Sequence, residues 1–220
     1  NMVNYSPDGL YPLYKQVATN PCSEIGTQAY DTCRLIALNL FSFVIDPFLP
    51  TARFDYEKFY QINYESARLG DNLVEMEINY LQRIIEKVES DPEPLEERII
   101  ELNLWKKIQD TAIKSRRTGL GFTALGDAIA ALGLKYDSPE SLVVIENIMS
   151  VKMESELDST IDLAITRGTF YGWDKEVEYN ISFFGDKGKN PFYEFIRTKF
   201  KSVFNAVVFC CWFGRCVYGC

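Results

Sequence analysis

The chain has 220 residues, 47% hydrophobic and 25% charged, with a net charge of −8. That is the composition of one large soluble domain, or of part of one, with enough apolar residues to bury a core. The acidic balance excludes a groove for a DNA or RNA polymer, which takes clustered Lys and Arg. Histidine is absent, so imidazole is excluded as metal ligand, proton shuttle or base, and acid–base chemistry falls to carboxylates and thiols.

Residues 1–19 are rich in Pro, Gly, Asn and Tyr, with a turn signal at Ser6-Pro7-Asp8-Gly9, and are expected to be loop. Tyr5, Tyr11, Tyr14 and Tyr30 could suggest a radical relay, but aromatic residues so placed are more often core or rim. The run Cys33 to Val44 is nearly all apolar and short, which predicts a strand covered on both faces, as in the parallel sheet of an α/β fold. Asp46-Pro47 and Leu49-Pro50 end it.

Residues 54 to 89 place apolar groups at helical spacing and predict one long or broken helix. Asp91-Pro92-Glu93-Pro94 interrupts it, because a proline cannot continue a helix interior and restricts the residue before it. A second helix is expected from Leu95 to Lys114. The next segment is punctuated by glycine and then helical to Leu132, with Gly133 as its stop. Ser138 as N-cap and Pro139 at the first helical position open a last helix that Gly168 closes. Gly119, Gly121 and Ala124 formally fit a dinucleotide fingerprint, but charged Lys114-Ser115-Arg116-Arg117 stands where an apolar strand should precede it. Tight packing between a strand and a helix is the preferred role for these glycines.

The stretch richest in chemistry is Asn20-Pro21-Cys22-Ser23-Glu24. Pro21 pushes Asn20 toward extended geometry, and alternate side chains of an extended chain point the same way. Asn20, Cys22 and Glu24 then line one face, successive members about 6.5–7 Å apart. An amide, a thiol and a carboxylate so arranged can position, attack and move a proton on one small substrate. The same residues also suit a buried thiol, an Asn-Pro turn and a solvated carboxylate. A thiolate nucleophile would want a cationic partner, and none is near in sequence, which favours a sulfur acting as a radical.

Asn20 to Ile25, followed by Cys33 and its apolar run, resembles the active-site loop and next strand of ribonucleotide reductases. The segment from Arg116 to Ser138 resembles that family's Arg-x-x-Gly-x-Gly-x-x-x-Leu-x-Asp segment and the helix after it. Glu156 to Phe170 resembles a later Ser, Leu-Ala and Gly segment, so the likeness runs from about Asn4 to Tyr179. It implies an α/β fold, part of the family's ten-stranded barrel, with long helices between strands. It further implies a thiyl radical on Cys22, Glu24 as base at the substrate 3'-hydroxyl and Asn20 as hydrogen-bonding partner. Cys33 becomes one of the two thiols that reduce the 2'-carbon. A buried Cys at the head of a core strand is the alternative for that residue.

The implied reaction reduces ribonucleotides to 2'-deoxyribonucleotides for DNA synthesis. Its wording around Cys22 is most like the adenosylcobalamin-dependent class II enzymes. The implied partners are a ribonucleoside di- or triphosphate, nucleotide effectors in the full-length enzyme, a thioredoxin-like external thiol reductant and, as an allowed assembly, a homodimer. No metal site is expected, and the residues that would bind the cofactor are left open. A different cobalamin or glycyl-radical enzyme and an inactive fragment are the rival readings.

Residues 1–202 are expected to be an internal fragment of the barrel domain. The tail 203–220 departs from the family, and its cysteines Cys210, Cys211, Cys216 and Cys220 lack zinc spacing. A frameshifted or truncated reading frame is the favoured origin of this tail, ahead of an intein beginning at Cys216. Only Cys22 and Cys33 precede residue 200, which is not a secreted disulfide framework. With no signal-like start and no apolar run of about 18 residues, a cytoplasmic protein without membrane contact is expected.

Overall fold

The computed structural model describes residues 15–20 and 26–171. Two short strands, β1 (Ala18–Thr19) and β2 (Gly26–Thr27), pair antiparallel, with Thr19 opposite Gly26. Strand β3 (Arg34–Asn39) is shorter than its apolar run suggests. The Asn39 side chain accepts from the Phe41 amide at 3.1 Å and turns the chain into a 3-10 segment, Leu40–Phe43. An Asn able to bond its own backbone two residues on competes with the ladder in this way. The antiparallel pair β4 (Val44–Ile45) and β5 (Arg53–Phe54) follows.

Helix α1 (Tyr56–Ser90) is unbroken, and its N-cap Asp55 accepts from the Lys58 amide at 3.0 Å. The two prolines end it as expected, and α2 (Leu95–Ser115) returns beside it. Strand β6 (Thr118–Thr123) pairs parallel with β3 in the register Arg34 to Thr118, Ile36 to Leu120 and Leu38 to Phe122. The glycine-punctuated segment is thus itself a strand. Its glycines lie inside the ladder, opposite Leu35 and Ala37. Helix α3 (Leu125–Ala131) and then α4 (Pro139–Arg167) complete the described chain. Ser138 caps α4 by accepting from the Ser141 amide at 3.2 Å, and Gly168 closes it at φ +82.

The helices cover one face of the β3–β6 pair. Arg34 is buried and Ile36 half-buried toward them, whereas Leu35 on the opposite face is 60% exposed. The expectation of a strand covered on both faces is not met among the described residues. Tyr60 contacts Asp158, Ser159 contacts Tyr64 and Arg167 contacts Asp71, a rising order that sets α1 and α4 parallel. Helix α2 runs antiparallel to α1, with Lys106 on Glu89 and Arg116 on Asp71. An apolar core of Leu40, Phe43, Phe54, Phe59, Ala128 and Ile148 seals the end beyond β3. Phe59 meets Phe43 and Phe54 edge-on, with ring centroids 5.1 and 5.5 Å away.

Candidate active site

Of the four expected site residues, Asn20 and Cys33 are described, while Cys22 and Glu24 lie outside the described residues. Asn20 directly follows β1, half-buried. Cys33 immediately precedes β3 and is half-buried as well. Since Arg34 points to the helices, alternation along an extended chain carries Cys33 to the open face, with Leu35 and Ala37.

On β6 the rows beside Leu35 and Ala37 hold Gly119, which is buried, and Gly121, which is half-buried. A Cβ added at Gly121 would meet nothing closer than the Ile36 carbonyl oxygen at 4.0 Å, so the space over it is free among the described residues. The result is a shallow wall, small in side chain, leading away from the cysteine. No described side chain places a charge in that wall along β3 or β6.

Buried charges cluster at the head of the strand pair. Asp31 and Arg117 form an ion pair at 2.7 Å, their side chains 0% and 4% exposed. The other Asp31 oxygen accepts from Ser115 Oγ at 3.0 Å and from the Thr32 amide at 2.9 Å. Arg34 pairs with Glu77 of α1 and also donates to the Arg117 carbonyl at 3.1 Å. Its Nη2 is buried with no hydrogen-bond partner among the described residues.

Nearby, a cleft of about 390 Å³ opens between α1, α4 and the helical side of the strand pair. Its mouth holds Asp71, which pairs with Arg116 and Arg167. Burial alone would raise the Asp71 carboxyl, but the two guanidiniums outweigh it and hold the group below the ordinary carboxylate range. The charged groups at this mouth are neutralised by one another, so the cleft is a braced seam rather than a charged receptor.

Sequence reasoning singled out none of Asp31, Arg34, Glu77 and Arg117. Their signal was present: Arg34 and Arg117 stand at the heads of otherwise uncharged strands, where a charge must find a partner to be buried. The partner is invisible in one dimension, because Asp31 and Arg117 are 86 positions apart.

The described geometry defines a parallel α/β unit in which a cysteine leads the first strand and a glycine-bearing strand lies beside it. Residues 14–192 match the family described as ribonucleotide reductase, barrel domain. The chain belongs to that family. A vitamin B12-dependent ribonucleoside-diphosphate reductase of Mycobacterium tuberculosis is 26% identical over 153 residues, 70% of this chain and 18% of the relative. A protein of the same name from Thermoplasma acidophilum is 25% identical over 156 residues, 71% of this chain and 17% of its own. A vitamin B12-dependent ribonucleotide reductase of Bradyrhizobium diazoefficiens is 25% identical over 162 residues, 74% of this chain and 11% of its own. The chain therefore spans less than a fifth of the length of these relatives.

The described residues contain mixed helix and strand with one parallel pair, and not a closed barrel. None of their helices is long and apolar enough to cross a membrane. They also hold no group of three or more Asp, Glu, Cys or His suited to a metal. With no histidine in the sequence, no described side chain is assigned as a ligand to cobalt.

Proposed function

We propose that the chain supplies the radical and reducing cysteines of an adenosylcobalamin-dependent ribonucleotide reductase. The supporting observation is the family match across residues 14–192, which contains Asn20, Cys22, Glu24 and Cys33, together with the B12-dependent names of the relatives. The cofactor, when bound, supplies the radical chemistry, and the protein orients the substrate and shields it. Residues 1–202 belong to the ten-stranded barrel domain in this reading, and 203–220 stand outside it.

Cys22, as a thiyl radical, takes the hydrogen from the 3'-carbon of a ribonucleotide, and Glu24 takes the proton of the 3'-hydroxyl. Asn20 holds the substrate by hydrogen bonding. The 2'-hydroxyl leaves as water, and Cys33 with a second thiol delivers two electrons and two protons, ending as a disulfide. The hydrogen held on Cys22 then returns to the 3'-carbon, which regenerates the thiyl radical. An external dithiol such as thioredoxin reduces the disulfide for the next cycle. The substrate is a ribonucleoside di- or triphosphate, nucleotide effectors act in the full-length enzyme, and a homodimer and a cytoplasmic location fit this role. The isolated chain is inactive, because the second thiol lies elsewhere in the full-length enzyme.

The test is Cys22→Ser in a full-length enzyme carrying this segment. Turnover is lost while the thermal melt is unchanged, since oxygen does not replace sulfur as a reversible hydrogen-abstracting radical. Deoxynucleotide formation by that variant would refute the assignment. Activity of the unaltered enzyme with a di-iron partner and no cobalamin would refute the cofactor.

A further inference from the structure

We propose that a buried ion pair, Asp31–Arg117, and a partly buried one, Arg34–Glu77, form a clamp that positions the Cys33 thiol. Asp31, Arg34, Glu77 and Arg117 are then positioning residues. The functional weight of the clamp rests on the reading of Cys33 as a reducing thiol.

The geometry places Cys33 between two residues that are each anchored more than once. On its N-terminal side, the Thr32 amide donates to Asp31 at 2.9 Å and the Thr32 hydroxyl donates to Glu77 Oε1 at 3.0 Å. On its C-terminal side, Arg34 pairs with Glu77 and donates from Nη1 to the Thr32 carbonyl at 3.3 Å and to the Arg117 carbonyl at 3.1 Å. Asp31 in turn is fixed to Arg117 at 2.7 Å and accepts from Ser115 at 3.0 Å. The clamp therefore ties the approach to β3 to the head of β6, the end of α2 and the middle of α1.

A desolvated ion pair such as Asp31–Arg117 is an expensive way to stabilise a strand end, since apolar side chains of like volume do as well or better. What paired charges add is a fixed register, because a slip separates each charge from its partner. Register matters at this position for a stereochemical reason. A slip of one residue sends a strand's side chains to the opposite face, and would carry Cys33 from the open face into the helical layer. A disulfide also requires Cα atoms within about 7 Å and side chains that point toward each other. A frayed strand head meets neither condition reliably.

The experiment measures alkylation of Cys33 by iodoacetamide in the 220-residue chain, with fragment-ion mass spectrometry separating Cys33 from Cys22. Asp31→Asn and Glu77→Gln each raise the Cys33 rate about tenfold, as labelling follows the population in which the strand head is open. Arg117→Lys, which keeps the charge, gives a smaller rise. Lys152→Met, which breaks a buried pair in α4, leaves the rate unchanged. Rates unaltered by Asp31→Asn and Glu77→Gln, or an equal rise in Lys152→Met, overturn the clamp.

In a full-length enzyme, Asp31→Asn lowers the disulfide formed in a single turnover without reductant and leaves the substrate KM unchanged. A raised KM with full disulfide yield overturns the clamp as well. Retained turnover by Cys33→Ser with dithiothreitol defeats the redox reading instead, and the alkylation result is independent of it.

Discussion

The buried pair Lys152–Glu156 on α4 offers a sharp test of how the helical layer is held. The two side chains lie 2.5 Å apart and are 9% and 2% exposed, packed against α1 where Asn63 donates to the Lys152 carbonyl at 3.0 Å and to Ser155 Oγ at 2.7 Å. Lys152→Met removes one charge and takes the Lys152 cation away from the buried Glu156 carboxylate, a loss of about 3–5 kcal/mol. Glu156→Leu leaves the ammonium stranded for a similar loss. Independent effects would sum to roughly 6–10 kcal/mol, but the double variant removes both charges and restores apolar contact, so it costs about 0–2 kcal/mol.

Urea denaturation monitored by far-UV circular dichroism closes this cycle. Each single variant also lowers the melting temperature by roughly 6–20 °C, at about 2–4 °C per kcal/mol for a chain of this size. Additive losses in the double variant, or single losses below about 1 kcal/mol, would show that water reaches the pair and would refute the argument.

Three further outcomes are expected. Phe59→Ala, which empties a fully buried site between Phe43 and Phe54, costs about 3–5 kcal/mol in the same urea titration. Asp71→Asn destabilises the chain at neutral pH. Because the folded Asp71 carboxyl is held below its ordinary 3.8, its contribution is full above that value and fades as pH falls through the lower folded value. Wild type and variant therefore converge in acid unfolding, and a gap that persists in strong acid contradicts the pairing. Gly70→Ala is tolerated, since its Cβ would rest 3.4 Å from Thr118 Cγ2 in ordinary contact and gains up to about 1 kcal/mol in helix propensity. Gly70→Leu instead pushes β6 away from α1 and lowers the melting temperature.

The helices were legible because their signals are local. Periodicity marked α1, the two prolines after Ser90 set its end, and Ser138 with Pro139 and Gly168 marked both limits of α4. The end of α2 carried no such mark, for Arg116 takes the left-handed conformation at φ 47 that glycine usually supplies, held there by Asp71 and Glu75. The break of β3 at Asn39 was hidden because the apolar run continues through a 3-10 turn whose side chains, Leu40 and Phe43, are also core. Strand β6 was missed since two of its six residues are glycine, which weakens any strand signal, and its partner lies far away in sequence. Of the candidate site, the motif around Cys22 and the role of Cys33 were both read by likeness, while the place of Cys33 before an apolar run suited a buried thiol equally. The ion pairs beside Cys33 depend on contacts between distant segments and leave no local pattern.

The parallel pairing of β3 with β6 sets an order of events during synthesis. Arg34 meets Glu77 across 43 positions of sequence and the Arg117 carbonyl only across 83. At about 5–20 residues per second, roughly 4–17 s separate the emergence of Arg34 from that of Arg117. Helix hairpins form within microseconds, so α1 and then α2 are in place while β3 still lacks its neighbour. The Glu77 contact gives α1 a docking point on β3 throughout that interval, so one face of a strand with a bare edge is covered before the ladder that will occupy that edge exists.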